Sequence, residues 1–224
     1  IIFVEGISEA ILLPEIAKIL DRPLEKYAVE LVNVDSVAFS PFVNLFSSQN
    51  VQTCFSKVAI VTDDDRCTKK SETNYINKDF DYDDVNSDIS GKLLSGTPSE
   101  RCNELETSCR AVGINVFKAT KTLEYALCCD ENNIEYFIEA IKSEYSQLGP
   151  ALEQKVNSLH DMNEKAACVW LFIRAREKCK GAIAQYISQI IKKQCEMRKR
   201  GENIEKEFVI PDYLKEAVYC VTER

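Results

Sequence analysis

The sequence predicts an α/β fold: a mostly parallel four-stranded sheet flanked by helices, followed by a C-terminal helical subdomain. Three observations predict it. Short apolar, β-branched runs alternate with helix-like segments through about residue 120. The runs are of strand length and are followed by carboxylates or turn residues. From about residue 130 onward the apolar spacing is helical, and no run of comparable strand quality remains.

The elements follow in order. Residues 1–4, IIFV, read as a buried strand. Ser8 is placed to cap a helix whose apolar positions include Leu12, Ile16, Ile19 and Leu20. Pro14 falls inside that helix and should kink it or shift its start. Residues 28–34, AVELVNV, predict a second strand. Residues 41–48 predict a short helix with proline in its first turn. Residues 57–62, KVAIVT, predict a third strand that runs into Asp63, Asp64 and Asp65. Residues 66–98 are polar and acidic without evident periodicity, and read as a surface insertion. Residues 99–113 predict a helix capped by Ser99 and closed near Gly113. Residues 114–119, INVFKA, predict the fourth strand. The expected division is an α/β core over 1–130, with the insertion at 66–98, and a helical subdomain over 131–224 that completes the site. The abrupt apolar start suggests a piece cut from a longer polypeptide.

Composition narrows the class. The chain has 224 residues, 45% hydrophobic and 29% charged, with few glycines and prolines, as in an ordinary globular protein. No apolar run approaches the length that spans a bilayer, and no secretory leader is visible. This predicts a cytoplasmic protein without a membrane partner. The ten cysteines include no CxxC pair, so a zinc framework is not expected, and reduced, mostly buried thiols are. The net charge is −8. Residues 170–200 hold nine basic and two acidic side chains, a local +7 against −15 elsewhere. Such a segment suits either a solvated helix face or a nucleic-acid contact.

The chemistry should lie where parallel strands end, because ligands bind there in open sheets. Glu5 ends the first strand, and Glu9 lies one helical turn further on. Asp63 and Asp65 end the third. Carboxylates brought together repel unless a cation neutralises them, and hard divalent cations take oxygen donors. Gly6 is expected to let the chain turn so that Glu5 and Glu9 face one site. Each residue also has an ordinary explanation: Glu5 as a solvated strand end, for example. DYDD at 81–84 lacks the glycine and terminal glutamate of a calcium loop and reads as a surface loop. His160 reads as a surface residue. The RKR at 198–200 fits a DNA phosphate contact or a solvated helix end equally.

The motifs VEG at 4–6 and VTDDD at 61–65 resemble the Toprim domain, a Rossmann-like fold of topoisomerases, primases and some nucleases. Further blocks, VEGISEAILLPEIAKIL, VNVDSVAFSPFVNLF, TLEYAL at 122–127 and KGAIAQ at 180–185, resemble the overcoming-lysogenization-defect (OLD) family of ATP-dependent endonucleases, Gabija-type nucleases included. The resemblance implies that Glu5, Glu9, Asp63, Asp65 and Glu124 hold two divalent metals, Mg²⁺ or Mn²⁺, with Ca²⁺ an inert or modulating substitute. It implies catalytic roles for Glu5 and Lys180. Glu124 could otherwise pair with a lysine, and Lys180 could be one more member of the basic run. Asp64, where relatives often carry glycine, is expected to add negative charge at the metals. DNA is the implied substrate. The implied partners are an ABC-type ATPase domain N-terminal in the same polypeptide, a second copy or higher homo-oligomer, and a helicase-like protein, in anti-phage defence. The chain itself carries no GxxxxGK[ST] phosphate loop. Two competing readings are an RNA-cleaving enzyme using the same site and a non-catalytic regulatory or DNA-binding module, for instance a receiver-like phosphoacceptor pocket.

Overall fold

The computed structural model describes residues 1–46, 57–66 and 80–223. Its sheet has four parallel strands in the order β2-β1-β3-β4: β1 Ile2–Val4, β2 Leu31–Asn33, β3 Ala59–Asp63 and β4 Asn115–Ala119. The register pairs Val4 with Val61 and Asp63 with Ala119, so Glu5 and Asp63 reach the carboxyl edge together. The helices are α1 Ile7–Ile19, α2 Ser40–Asn44, α3 Ser87–Ser95, α4 Glu100–Ala111, α5 Leu123–Cys128, α6 Glu131–Glu144, α7 Leu148–Ser158, α8 Met162–Ala175, α9 Lys180–Arg200 and α10 Asp212–Thr222.

The two central strands are buried along their length, as in a sheet covered on both faces. Successive side chains point to opposite faces, and the core divides accordingly. Ile2, Val4, Ala59 and Val61 join a large cluster with Leu12 of α1, Leu123 of α5, Phe172 of α8, Ile187 of α9 and Val218 of α10. Phe3 and Ile60 face the other way, into a small cluster with Phe39, Val43 of α2, and Leu105 and Cys109 of α4. The large cluster therefore runs through both halves of the chain. Helix α9 lies along α1, and α10 returns to β3 and β4.

Several expectations need correction. Ser8 does not cap α1. The helix starts at Ile7 after Gly6, and Ser8 is its buried second residue. Pro14 neither delays nor ends α1, which runs to Ile19. The second strand is shorter than 28–34, because Ala28 takes a left-handed φ of 51° to close a 3₁₀ turn over Leu24–Tyr27. Helix α2 ends at Asn44, and residues 47–48 lie outside the described residues.

The largest correction concerns 66–98. Residues 67–79 lie outside the described residues. Residues 81–95 are not a surface loop: Tyr82, Val85, Ile89 and Leu93 are buried in the large cluster. They lie against α8, over a 3₁₀ turn at Tyr82–Asp84 and the helix α3. Asp81 and Asp84 of the DYDD stretch form a reciprocal capping box on that turn. Ser99 caps α4 as expected, accepting from the Cys102 N–H, and Gly113 closes it with φ of 75°.

Among the described residues, no helix is long and apolar enough to cross a membrane. The eight described cysteines are all free thiols, and Cys54 and Cys67 lie outside the described residues. Much of the basic segment is spent on the protein itself. Arg198 donates to Glu207 at 2.6 Å and to the Ile19 carbonyl at 3.2 Å, and Arg200 pairs with Glu202 at 3.1 Å. Of RKR, Arg198 and Arg200 are ion-paired yet solvent-exposed at the helix end. His160 is exposed, as expected.

Candidate metal centre

The site grows from three strand ends. Glu5 follows β1 directly and sits beside Thr62 of β3. The Thr62 hydroxyl donates to Glu5 Oε2 at 2.6 Å, and the Asp63 N–H donates to the same oxygen at 3.3 Å. Asp63, the last residue of β3, accepts from the Leu123 N–H at 2.8 Å through Oδ1. That bond fixes the start of α5 against β3, because α5 begins four residues after β4 ends. Glu124 is then the second residue of α5, where the helix N-terminus favours a carboxylate. Glu9 stands in the first turn of α1 for the same reason.

These carboxylates crowd one another. Glu9 and Glu124 are each only 6% exposed. Burial, followed by the charges of Glu124 and Glu5, pushes Glu9 up to about 7, against the lowering effects of its own backbone N–H and of Lys180. Asp63 lies well above the ordinary carboxylate range, first through loss of solvent and then through Glu9, Glu124, Glu5 and Asp65. Acids brought together in this way raise one another, and a nearby positive charge would relieve them.

The basic groups come from helices on both faces. Lys180 opens α9, where the helix dipole opposes a cation. It is paired there with Glu124, Nζ to Oε1 at 3.7 Å. The Ser8 hydroxyl donates to the same Glu124 oxygen at 3.4 Å. From the opposite face, Arg101 of α4 places Nη2 at 2.6 Å from Asp65 Oδ2, 3.1 Å from the Asp63 carbonyl and 3.9 Å from Glu5 Oε2.

The structure thus brings Glu5, Glu9, Asp63 and Glu124 together, with Lys180 beside them. Asp65 stands apart at the rim, on Arg101. Asp64 turns away from the site and does not add charge to it. It is 3% exposed and accepts from Arg66 at 2.5 Å and from the Lys121 N–H at 2.9 Å. The loop is held tightly. Asp65 and Lys121 both have left-handed backbones, φ 49° and 68°, and the Asp65 N–H donates to the Lys121 carbonyl. A lysine rarely adopts that conformation without surrounding structure to impose it. Gly6 is different. The chain does bend at Glu5 and Gly6 between β1 and α1, but Gly6's φ of −150° and ψ of −172° are extended backbone open to any residue, so the bend does not call on glycine's freedom. A Cβ there would lie 3.5 Å from Glu9 Oε2, an ordinary contact.

No site role was expected for Thr62, Ser8, Arg101 or Tyr213, although Thr62 and Ser8 fall inside the motifs VTDDD and VEGISEAILLPEIAKIL. The Tyr213 hydroxyl is buried with no hydrogen-bond partner. Its phenol is raised by burial and then by Asp63, Glu9 and Glu124, which places α10 beside the same carboxylates. Among the described residues, no three His, Cys, Asp or Glu side chains stand ready-made around a single metal position. The donor set is nonetheless all hard oxygen, and its mutual repulsion is what a divalent cation relieves.

Comparison with known proteins agrees with the motif resemblance. Residues 1–65 match the family described as overcoming lysogenization defect protein-like, TOPRIM domain. The match takes in Glu5, Glu9, Asp63 and Asp65; Glu124 and Lys180 lie beyond it. The fold is that of the C-terminal region of the Xanthomonas campestris pv. campestris OLD protein, with a TM-score of 0.59 at 19% identity over 99% of this chain and 93% of that one. The C-terminal region of the Burkholderia pseudomallei OLD protein matches with a TM-score of 0.54 at 19% identity over 98% and 94%. No curated protein matches the sequence.

Proposed function

We propose that this chain is the catalytic part of a divalent-metal-dependent endonuclease that hydrolyses DNA phosphodiester bonds. The observation that carries the reading is the gathering of Glu5, Glu9, Asp63 and Glu124 at one strand edge, with Glu9 and Asp63 raised first by burial and then by their neighbours' charge. A phosphoacceptor pocket also clusters aspartates at strand ends, but it does not account for the additional buried glutamates from α1 and α5 or for Lys180 beside them. Domains of this type are generally of nuclease kind and metal-binding, which supports the same class.

Glu5, Glu9, Asp63 and Glu124, with Asp65 at the rim, would hold two divalent cations, Mg²⁺ or Mn²⁺, with Ca²⁺ as an inert substitute. When bound, such ions supply Lewis acidity, lowering the pKa of water and neutralising charge on the phosphate oxygens. The chain's own residues do the positioning. Thr62 and the Asp63 N–H orient Glu5, and the Leu123 N–H orients Asp63. Lys180, held by Glu124 at the mouth of α9, contributes positive charge where the phosphorane-like transition state gains negative charge. Burial of Glu9 and Glu124 excludes water from the inner side, which strengthens each of these interactions.

The wider proposal follows the OLD resemblance: a longer cytoplasmic polypeptide with an N-terminal ABC-type ATPase domain, acting as a homo-oligomer, with or without a helicase-like partner, in anti-phage defence. The test is nicking of supercoiled plasmid in Mg²⁺, Mn²⁺ or Ca²⁺, with a matched RNA in parallel. Cleavage is expected with Mg²⁺ or Mn²⁺, and Glu5→Ala or Asp63→Asn should lower it by ~10²–10³-fold. Equal cleavage by Glu5→Ala would overturn the reading, and cleavage of RNA alone would move it to ribonucleases.

A further inference from the structure

Arg101 is out of place for a helix residue. It is the second residue of α4, where the helix dipole disfavours a cation. Nothing in the helix itself accounts for its position. It is held by oxygens of the site: Asp65 Oδ2 at 2.6 Å, the Asp63 carbonyl at 3.1 Å and Glu5 Oε2 at 3.9 Å. Two carboxylates and a carbonyl are a donor set of the kind a hard divalent ion takes. The pairing is also incomplete, because Arg101 Nη1 is buried with no hydrogen-bond partner. A guanidinium seated in a finished site satisfies its donors, usually as a bidentate fork on one carboxylate.

A guanidinium and a dication compete for these oxygens, since both are positive and the contacts to Asp65 and the Asp63 carbonyl are short. The side chain also has somewhere to go. A groove of about 830 Å³ runs along α4 and is lined by Arg101 itself, Thr97, Pro98, Glu100 and Glu104. Resting on the metal-centre reading above, we infer that Arg101 is a positioning residue that occupies the outer cation position between Glu5 and Asp65, and that a divalent metal must displace it toward the α4 groove to bind there. Arg101 thereby lowers the metal affinity of the outer position and holds Glu5 and Asp65 in place until the ion arrives.

The experiment is isothermal titration of the chain with Mn²⁺, comparing wild type with Arg101→Gln and Arg101→Lys. Arg101→Gln should bind Mn²⁺ about threefold tighter or better, the size expected for losing a partly exposed ion-pair competitor. Arg101→Lys, which keeps the charge, should fall between. Wild type and Arg101→Gln binding equally, or Arg101→Gln binding more weakly, overturns the inference while leaving the metal centre standing. Failure of the wild type to bind Mn²⁺ at all instead overturns the metal-centre reading, and this inference with it. A second measurement needs no variant: the side-chain ¹⁵N resonance of Arg101 in the wild-type chain should shift on saturation with Mg²⁺, and an unmoved resonance counts against displacement.

Discussion

The two faces of the sheet lend the site opposite things. On the thick face, α1, α5, α9 and α10 pack over one large cluster; α1 and α5 deliver the buried Glu9 and Glu124, α10 the half-buried Tyr213, and α9 the partly exposed Lys180. On the thin face, α2 and α4 pack over a small cluster and deliver Arg101, which meets the partly exposed Asp65. Burial depth sets the chemistry on each side. Where water is excluded, carboxylates cannot dissipate one another's charge, and Glu9 and Asp63 are raised. Where water has access, the same repulsion is relieved by an arginine in an open pair. On the proposed reading, an inner position that would take a cation and an outer one held by Arg101 come from one sheet with unequal cover.

The difference can be broken most severely by thinning the thick face. Leu93 of α3 is 1% exposed in the large cluster. Leu93→Ala should cost about 3 kcal/mol by urea denaturation. A cost near zero would return residues 81–95 to the surface and remove part of the thick cover.

A smaller effect sharpens the electrostatic half of the contrast. The folded chain holds a proton on Glu9 that the unfolded chain has released, since its value rises from an ordinary 4.5 to about 7. The folded state therefore binds more protons across that window. In EDTA its stability should fall as pH rises from about 4.5 through about 7, and then level off on this account. Asp63 acts in the same direction. Glu9→Gln should add roughly 2 kcal/mol at pH 8 and almost nothing at pH 4.5. Saturating Mg²⁺ should reverse the order, stabilising the wild type more than the variant. A pH-independent gain would mean that Glu9 is not under charge stress.

The smallest effect is expected at Gly6, the residue before α1. Gly6→Ala should change stability by no more than about 1 kcal/mol, because the backbone is extended and the added methyl meets only an ordinary contact. A large loss would mean that the bend at Glu5 and Gly6 does require glycine.

The legible and illegible parts of this protein divide along the same lines. The four strands could be read because each is a short apolar run with a carboxylate or turn residue after it. Their parallel order followed from the intervening helices. Glu5, Glu9, Asp63 and Asp65 stood out because strand-end acids are visible in one dimension. The segment 81–95 did carry a signal, apolar residues at 82, 85, 89 and 93 in steps of three and four, diluted by the acidic and polar residues between them. Ser8 looked like a cap because caps and site hydroxyls share a residue type, and only its depth separates them.

The sequence by itself determined the sheet, the helical second half and the acids of the first and third strand ends, because these depend on local periodicity. Tertiary structure alone decided that Asp64 turns away to the Lys121 N–H, that Arg101 and Tyr213 reach the carboxylates from opposite faces, and that Glu9 and Asp63 are raised by burial and by one another. Those facts depend on distances between residues tens to more than a hundred positions apart and on how much water reaches them, and neither quantity is written in any short stretch of chain.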